Sequence, residues 1–102
     1  MNTPQNINQL INFQYGSVVS KEIINKPSGT ITLFAFDQGQ GLSEHTAPYD
    51  AFILAVEGSA EITVSGIKNI VKLGESLLMP ANSPHSLKAL KPFKMLLTMI
   101  KS

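Results

Sequence analysis

The stretch that decides the fold is residues 60–74, which read AEITVSGIKNIVKLG. In its first half, apolar and polar residues alternate, which is the period of a β-strand with one dry face and one wet face. Gly66 supplies a turn, and Gly74 ends a second run of strand length that begins at Ile67. Two such runs joined by a short turn containing glycine predict an antiparallel hairpin.

Short apolar runs continue on both sides of this hairpin, separated by Gly or Pro. Many short strands with turn residues between them are typical of a sandwich or barrel, and 102 residues correspond to a single domain, 1–102. The best helix candidate, Ile7–Phe13, is short and rich in Asn, and predicts either one helical turn or a strand that enters the sheet. The predicted strands are Val18–Ile24, Thr30–Asp37, Gly41–His45, Ala51–Glu57, Ala60–Ser65, Ile67–Leu73, Ser76–Met79, His85–Ala89 and Phe93–Ile100.

Two of these strands are largely apolar on both faces. Residues 51–56 read AFILAV, and residues 93–100 read FKMLLTMI. A strand with two dry faces must be covered on both sides, whereas a small barrel covers only the inner one. We therefore expect the N-terminal segment, a second subunit, or both to cover the outer face, and we predict a homodimer.

The composition excludes several classes of function. The formal net charge is +1, and the eight cations are all Lys, spread singly along the chain. Nucleic-acid surfaces normally cluster Lys and Arg, so we predict no nucleic-acid partner. No run approaches the ~20 apolar residues of a membrane span. Cysteine is absent, which excludes disulfides and thiolate sites. Without a visible secretory signal, we expect a soluble, cytoplasmic protein with no membrane partner.

A first glycine-bounded segment contains one of the two histidines. Gly39 is followed by five residues and then His45, with Ala47 two residues later. Ala51 comes four residues after Ala47, and six further residues lead to Gly58.

A second segment contains the other histidine. Gly74 is followed by five residues and then Pro80, and Asn82 comes two residues later. His85 follows after two more residues, and Ala89 after another three. Asn tolerates the left-handed backbone conformation that a glycine adopts, so Asn82 is a mild replacement for a Gly.

Together, these spacings from Gly39 to Ala89 resemble the paired motifs of the cupin superfamily. The resemblance implies an all-β fold, a cupin-type jelly-roll β-barrel of two antiparallel sheets, usually dimeric. It also implies a pocket between the sheets that both motifs line. In metal-binding cupins, three His and one Glu of these motifs hold a divalent ion. The corresponding positions here are His45, Ala47, Ala51 and His85.

Only two of those four positions keep a ligating side chain. A stable site for Zn, Ni, Mn or Fe usually needs three or more matched protein ligands. We therefore expect His45 and His85 to hold a divalent transition metal at most weakly, and we predict no certain cofactor. Glu44 and Asp50 each precede a motif position, and adjacent strand residues point to opposite faces. Both carboxylates should therefore face away from the pocket, unless a bulge re-aims one of them.

We predict that the two imidazoles face each other across a pocket that is otherwise apolar. Replacing His and Glu by Ala widens such a pocket, and wide apolar clefts with few polar groups are typical of small-molecule sites. The paired imidazoles would suit an anionic or polar group. The residues we expect around His45 and His85 are Ala47, Ala51, Ile53, Ile62, Val64 and Met79, with Phe34 or Phe36.

Three functions remain open from the sequence. The first is binding of a small ligand in the barrel pocket. The second is a metal-dependent cupin enzyme of the dioxygenase or isomerase type that uses a two-histidine site. The third is a regulatory role through the dimer surface, which would need a partner because the chain has no room for a helix-turn-helix domain.

Overall fold

Residues 3–101, the part of the chain that the computed structural model describes, form nine β-strands and one 3₁₀ turn. Every strand that the sequence predicts is present, with ends that differ by at most two residues. The turn is Ile7–Gln9, so only the start of Ile7–Phe13 is helical. The strands are β1 Val18–Lys26, β2 Gly29–Phe36, β3 Gly41–His45, β4 Asp50–Glu57, β5 Ser59–Val64, β6 Ile67–Lys72, β7 Ser76–Met79, β8 His85–Ala89 and β9 Phe93–Ile100.

The strands form two sheets, both fully antiparallel. The five-stranded sheet has the order β1-β2-β9-β4-β7, and the four-stranded sheet has the order β3-β8-β5-β6. The predicted all-β jelly-roll barrel is therefore confirmed. Within residues 3–101, no helix is long and apolar enough to cross a membrane.

The β5–β6 hairpin has the tight turn that its sequence predicts. Val64 pairs with Ile67, and the two residues between them, Ser65 and Gly66, have φ angles of 50° and 79°. Two successive positive φ angles are the mark of a type I′ turn, whose twist matches that of the flanking strands. The turn fixes the register, so that Ile62 and Ala60 face the inside of the barrel.

The main core lies between the two sheets, and its residues follow rows across the strands. Phe36 pairs with Phe93 at one end of the barrel, and their ring centroids are 6.0 Å apart. Further along β9, Met99 pairs with Ala51 of β4, which pairs on its other side with Met79 of β7. The phenylalanine row is fully buried, which closes this end of the barrel and leaves open space toward the other end.

The N-terminal segment covers part of the outer face of the five-stranded sheet. Ile11 packs there against Leu33 and Ala35, and Ile7, Leu10, Phe13 and Leu96 join this second cluster. The segment is therefore one of the covers that the sequence predicts for this face.

From the sequence, Lys88, Lys91 and Lys94 are expected to form a solvated edge near the C-terminus, but Lys94 is held beneath this segment. Only 6% of its surface is exposed. Its Nζ donates to the carbonyl oxygen of Asn8 at 2.7 Å, lies 3.5 Å from Glu57 Oε1, and sits 4.8 Å from the ring centroid of Phe13. The expectation was wrong because β9 is a central strand, between β2 and β4, and not an edge.

The rest of the outer face remains apolar and uncovered. A row of paired residues crosses all five strands, and we call it the outer stripe: Ile24, Ile31, Thr98, Phe52 and Leu78. Phe52 and Leu78, which pair directly, are 45% and 58% exposed. The N-terminal segment therefore covers only one part of a face that is apolar well beyond it.

Candidate functional site

The two histidines meet at one end of the barrel. His45, at the end of β3, pairs directly with His85, at the start of β8. Their Nε2 atoms are 3.0 Å apart, and the ring centroids are 4.3 Å apart at an angle of 70°. His45 is exposed and His85 is half-buried, so the pair lies at the mouth of the barrel.

A bulge in β3 turns His45 inward. Leu42 pairs with Leu87, but the next pair is His45 with His85, so β3 contains one residue more than β8 over this interval. In a regular strand, the inward residue after Leu42 would be Glu44. The extra residue changes that alternation, and Leu42 and His45 both line the cavity.

Both rings are anchored in the same way through Nδ1. His45 Nδ1 lies 2.8 Å from the carbonyl oxygen of Ser43, and His85 Nδ1 lies 3.0 Å from that of Ser83. A carbonyl oxygen only accepts, so each Nδ1 is assigned as the donor. In a neutral ring the Nε2 atom then has a lone pair and no proton. Two neutral rings would thus direct their lone pairs at each other across 3.0 Å, so both Nε2 atoms are available to a metal ion or a hydrogen-bond donor.

Below the histidines lies a cavity of about 150 Å³ between the two sheets. Carbon and sulfur atoms of apolar side chains form most of its wall. The predicted site residues that line it are His45, His85, Ala47, Ala51, Ile53, Ile62 and Met79. The structure therefore brings together residues from five strands and one loop.

Phe36 does not line this cavity, contrary to the sequence-based expectation. It is fully buried, and it packs against Phe93 and against Phe34, whose ring centroid is 5.8 Å away. Strand alternation correctly predicts that the Phe36 side chain points into the barrel. However, Phe36 pairs with Phe93, and the residues of β9 that line the cavity begin only at Met95. Neither of the other two expected residues, Phe34 and Val64, is part of the lining.

Six further lining residues, on β3, β8 and β9, are not predicted from the sequence. They are Leu42, Ser86, Leu87, Met95, Leu97 and Met99. The sequence shows that Met95, Leu97 and Met99 share one face of β9. It does not show which strands this face packs against, and so it does not place them at the cavity. Ser86 also lines the cavity, although it alternates with His85 and Leu87 along β8.

The donor atoms present do not fit a tightly held divalent metal. Asp50 Oδ1 accepts from the backbone N–H of Ala81 at 2.9 Å, and Glu44 is exposed. Neither carboxylate lines the cavity. Within residues 3–101, no three His, Cys, Asp or Glu side chains are grouped as metal ligands. Two imidazoles fall short of the three protein ligands that such sites usually have.

A two-sheet jelly-roll barrel with motif histidines at its mouth defines a cupin-type protein. The family model described as "Cupin domain" matches residues 32–100, more than half of the chain. The chain therefore belongs to the cupin family.

Solved structures of similar proteins support the same conclusion. A conserved protein of unknown function from Streptococcus pyogenes is 30% identical, with a TM-score of 0.96 over 100% of this chain and 90% of that one. A cupin superfamily protein from Desulfitobacterium hafniense is 26% identical, with a TM-score of 0.95 over 100% of this chain and 94% of that one.

A third structure belongs to a longer protein. The cupin 2 conserved barrel domain protein from Leptotrichia buccalis is 38% identical, with a TM-score of 0.92 over 95% of this chain but 47% of that one. This chain thus spans about half of that protein. A search of curated proteins found no significant match.

Proposed function

We propose that this chain binds a small, largely apolar molecule with one hydrogen-bonding head group in the cavity between its sheets. The observation that carries the proposal is a cavity with apolar walls and two anchored imidazoles at its mouth. Small-molecule sites typically combine such walls with a few placed polar groups.

The volume and the lining limit what the ligand can be. An engineered protein cavity of about 150 Å³ lined by apolar side chains binds benzene, so the ligand is about that size. Because each Nδ1 already donates to a carbonyl oxygen, the Nε2 atoms are the polar atoms available to a ligand. A hydroxyl or a protonated carboxylic acid can donate to one of them, whereas a carboxylate would need an Nε2 atom that carries a proton as its donor.

The apolar wall of the cavity also disfavours sugars as ligands. They carry hydroxyl groups around the ring, and those directed at Ile53, Ile62 and Leu97 would lose their hydrogen bonds to water without replacement. The ligand class is therefore a small acid, phenol or alcohol with a hydrocarbon body.

The test is a thermal-shift and calorimetry screen with benzoate, phenol, short branched acids and, for comparison, monosaccharides. We expect acids or phenols to raise the melting temperature in a saturable way and sugars to have no effect. Ala51→Leu, which fills the cavity, should abolish the shift. Phe52→Leu is the matched control, because it changes the adjacent residue on the outward face and should bind as the wild type does. A screen without any saturable shift would refute the proposal.

The alternative is a metal-dependent enzyme of the dioxygenase or isomerase type. The two histidines favour it, but no carboxylate of residues 3–101 lines the cavity, which speaks against a resident divalent ion. Elemental analysis of protein purified without added metal separates the two functions. Near-stoichiometric Zn, Ni, Mn or Fe would favour the enzyme, and its loss in His45→Ala would assign the site.

Two further proposals concern the oligomeric state and the cellular location of the protein. A second copy of the chain is the expected cover of the outer stripe, because an apolar face is self-complementary about a twofold axis. A cytoplasmic location also stays a prediction from the sequence.

A further inference from the structure

The methionines share one location. Sequence and structure place every methionine of residues 3–101, namely Met79, Met95 and Met99, in the wall of the cavity that both histidines also line. Methionine often fills irregular gaps in cores, and any one of them taken alone could have that role. Three thioethers and two imidazoles around one small cavity are a set of nitrogen and sulfur donors without a carboxylate.

Two of these thioethers flank the position at which the family motif has its carboxylate. Ala51 pairs with Met79 on one side and with Met99 on the other. Directly opposite residues in antiparallel strands have Cβ atoms about 4.5–5.5 Å apart on the same face. The long, flexible side chains of Met79 and Met99 therefore border the space that the small Ala51 leaves open.

The histidine pair independently points to an electrophile. With both Nδ1 atoms donating to carbonyl oxygens, two neutral rings direct lone pairs at each other across 3.0 Å. Metal-binding histidines commonly have this arrangement, in which the second ring nitrogen donates to a carbonyl and fixes the orientation. An ion bound by both Nε2 atoms at the mouth would use these two lone pairs.

The ligand atoms around the cavity determine which metal ion the site would prefer. Carboxylate and water ligands suit hard divalent ions, whereas thioether sulfur selects soft ions, Cu(I) above all, and imidazole also suits copper. A monovalent ion is also less costly to bring into an apolar cavity than a divalent one, since the cost of desolvation rises with charge. From the joint position of these residues, we propose a Cu(I) site formed by His45, His85 and the thioethers of Met79 and Met99. The site does not depend on the organic ligand proposed above, although the two would compete for the same space.

The experiment is an anaerobic competition in which the protein removes Cu(I) from a coloured chelator complex. We expect a single Cu(I) per chain, and no comparable retention of Zn(II) or Ni(II) after desalting. His45→Ala and His85→Ala should abolish binding. Met79→Leu and Met99→Leu should each weaken it about tenfold or more, a loss that even supporting residues of metal sites show. Leu nearly conserves the volume of Met, so these variants should fold, and circular dichroism checks this.

Met95→Leu is the matched control within the same wall. Met95 lies in the row of Phe34 and Ala55, farther from the mouth, and its loss should weaken binding less than the loss of Met79 or Met99. The proposal is overturned if the protein fails to compete for Cu(I), or if folded Met79→Leu and Met99→Leu bind as tightly as the wild type. The methionines would then be core filling only. Both leucine variants keep the apolar cavity. The change in melting temperature that benzoate causes in the absence of copper therefore tests the small-molecule function independently of the Cu(I) site.

Discussion

His45 Nε2 and His85 Nε2 lie 3.0 Å apart although 40 residues separate them in the chain. The contact depends on the direct pairing of the end of β3 with the start of β8, and on the bulge that turns His45 rather than Glu44 inward. It also depends on two serine carbonyls that hold the rings through Nδ1. The pair is therefore a product of backbone geometry on two adjacent strands.

Replacing either histidine should remove binding and leave the fold intact. His45→Ala and His85→Ala delete rings that lie at the mouth, partly in water, so we expect each to change the free energy of unfolding by no more than about 0.5 kcal/mol. Ligand-dependent shifts in melting temperature should disappear in both variants. Urea unfolding and thermal shift measure the two effects. A loss of several kcal/mol in either variant would mean that the rings serve mainly as structural residues.

Filling the cavity should stabilise the protein. Ala51 lines empty space on a central strand, so Ala51→Leu adds apolar contacts without displacing neighbours, and we expect a gain of about 0.5–2 kcal/mol. Ala89→Leu is the control, because Ala89 is buried in the same core but does not line the cavity. It should lose about 1–3 kcal/mol through overpacking. Equal effects of the two variants in urea unfolding would contradict a void beside Ala51.

Removing Lys94 should release the N-terminal segment. Lys94→Ala deletes the hydrogen bond from Nζ to the carbonyl oxygen of Asn8 and the contact with the Phe13 ring. Hydrogen bonds that involve a charged group contribute about 1.5–3 kcal/mol, and we expect a loss in that range. Amide hydrogen exchange should rise in residues 7–13. Lys88→Ala, at an exposed position, should change neither quantity, and unaltered exchange in Lys94→Ala would argue against the tether.

Charges in the outer stripe should dissociate the proposed homodimer. We expect light scattering to give a two-chain mass for the wild type and a one-chain mass for Phe52→Lys combined with Leu78→Lys, because both side chains would be buried between subunits. Ile70→Lys is the control, since Ile70 is similarly exposed but lies on β6 of the other sheet. A one-chain mass for the wild type at micromolar concentration would exclude the homodimer.

Most of the fold follows from local patterns that the sequence displays. Alternation and glycine-bounded turns predict the strands, because side-chain period and turn chemistry are short-range properties. The left-handed conformation at Asn82, with a φ of 66°, is confirmed and shows how a motif glycine can be replaced. The meeting of His45 and His85 was predicted through the spacing of both motifs.

What the sequence could not provide is the register between distant strands. Phe36 has the correct inward orientation, but its row along the barrel is set by its pairing with Phe93. For the same reason, Met95 and Met99 were not assigned to the cavity, although their alternation was evident. Lys94 was misjudged because a lysine is normally solvated, and only tertiary structure reveals that a segment from the other end of the chain covers it.

The central position of β9 has a consequence for biosynthesis. β9 is the last of the nine strands, yet it pairs with both β2 and β4 in the middle of the five-stranded sheet. While a ribosome is still extending the chain, the β1–β2 hairpin and the β4–β7 pair have nothing to join them. We expect the barrel to close only after residue 100 has emerged, late and with a high content of long-range contacts, which makes folding slow. Nascent chains that stall before this strand would expose two sheet edges, and such edges are sites of aggregation.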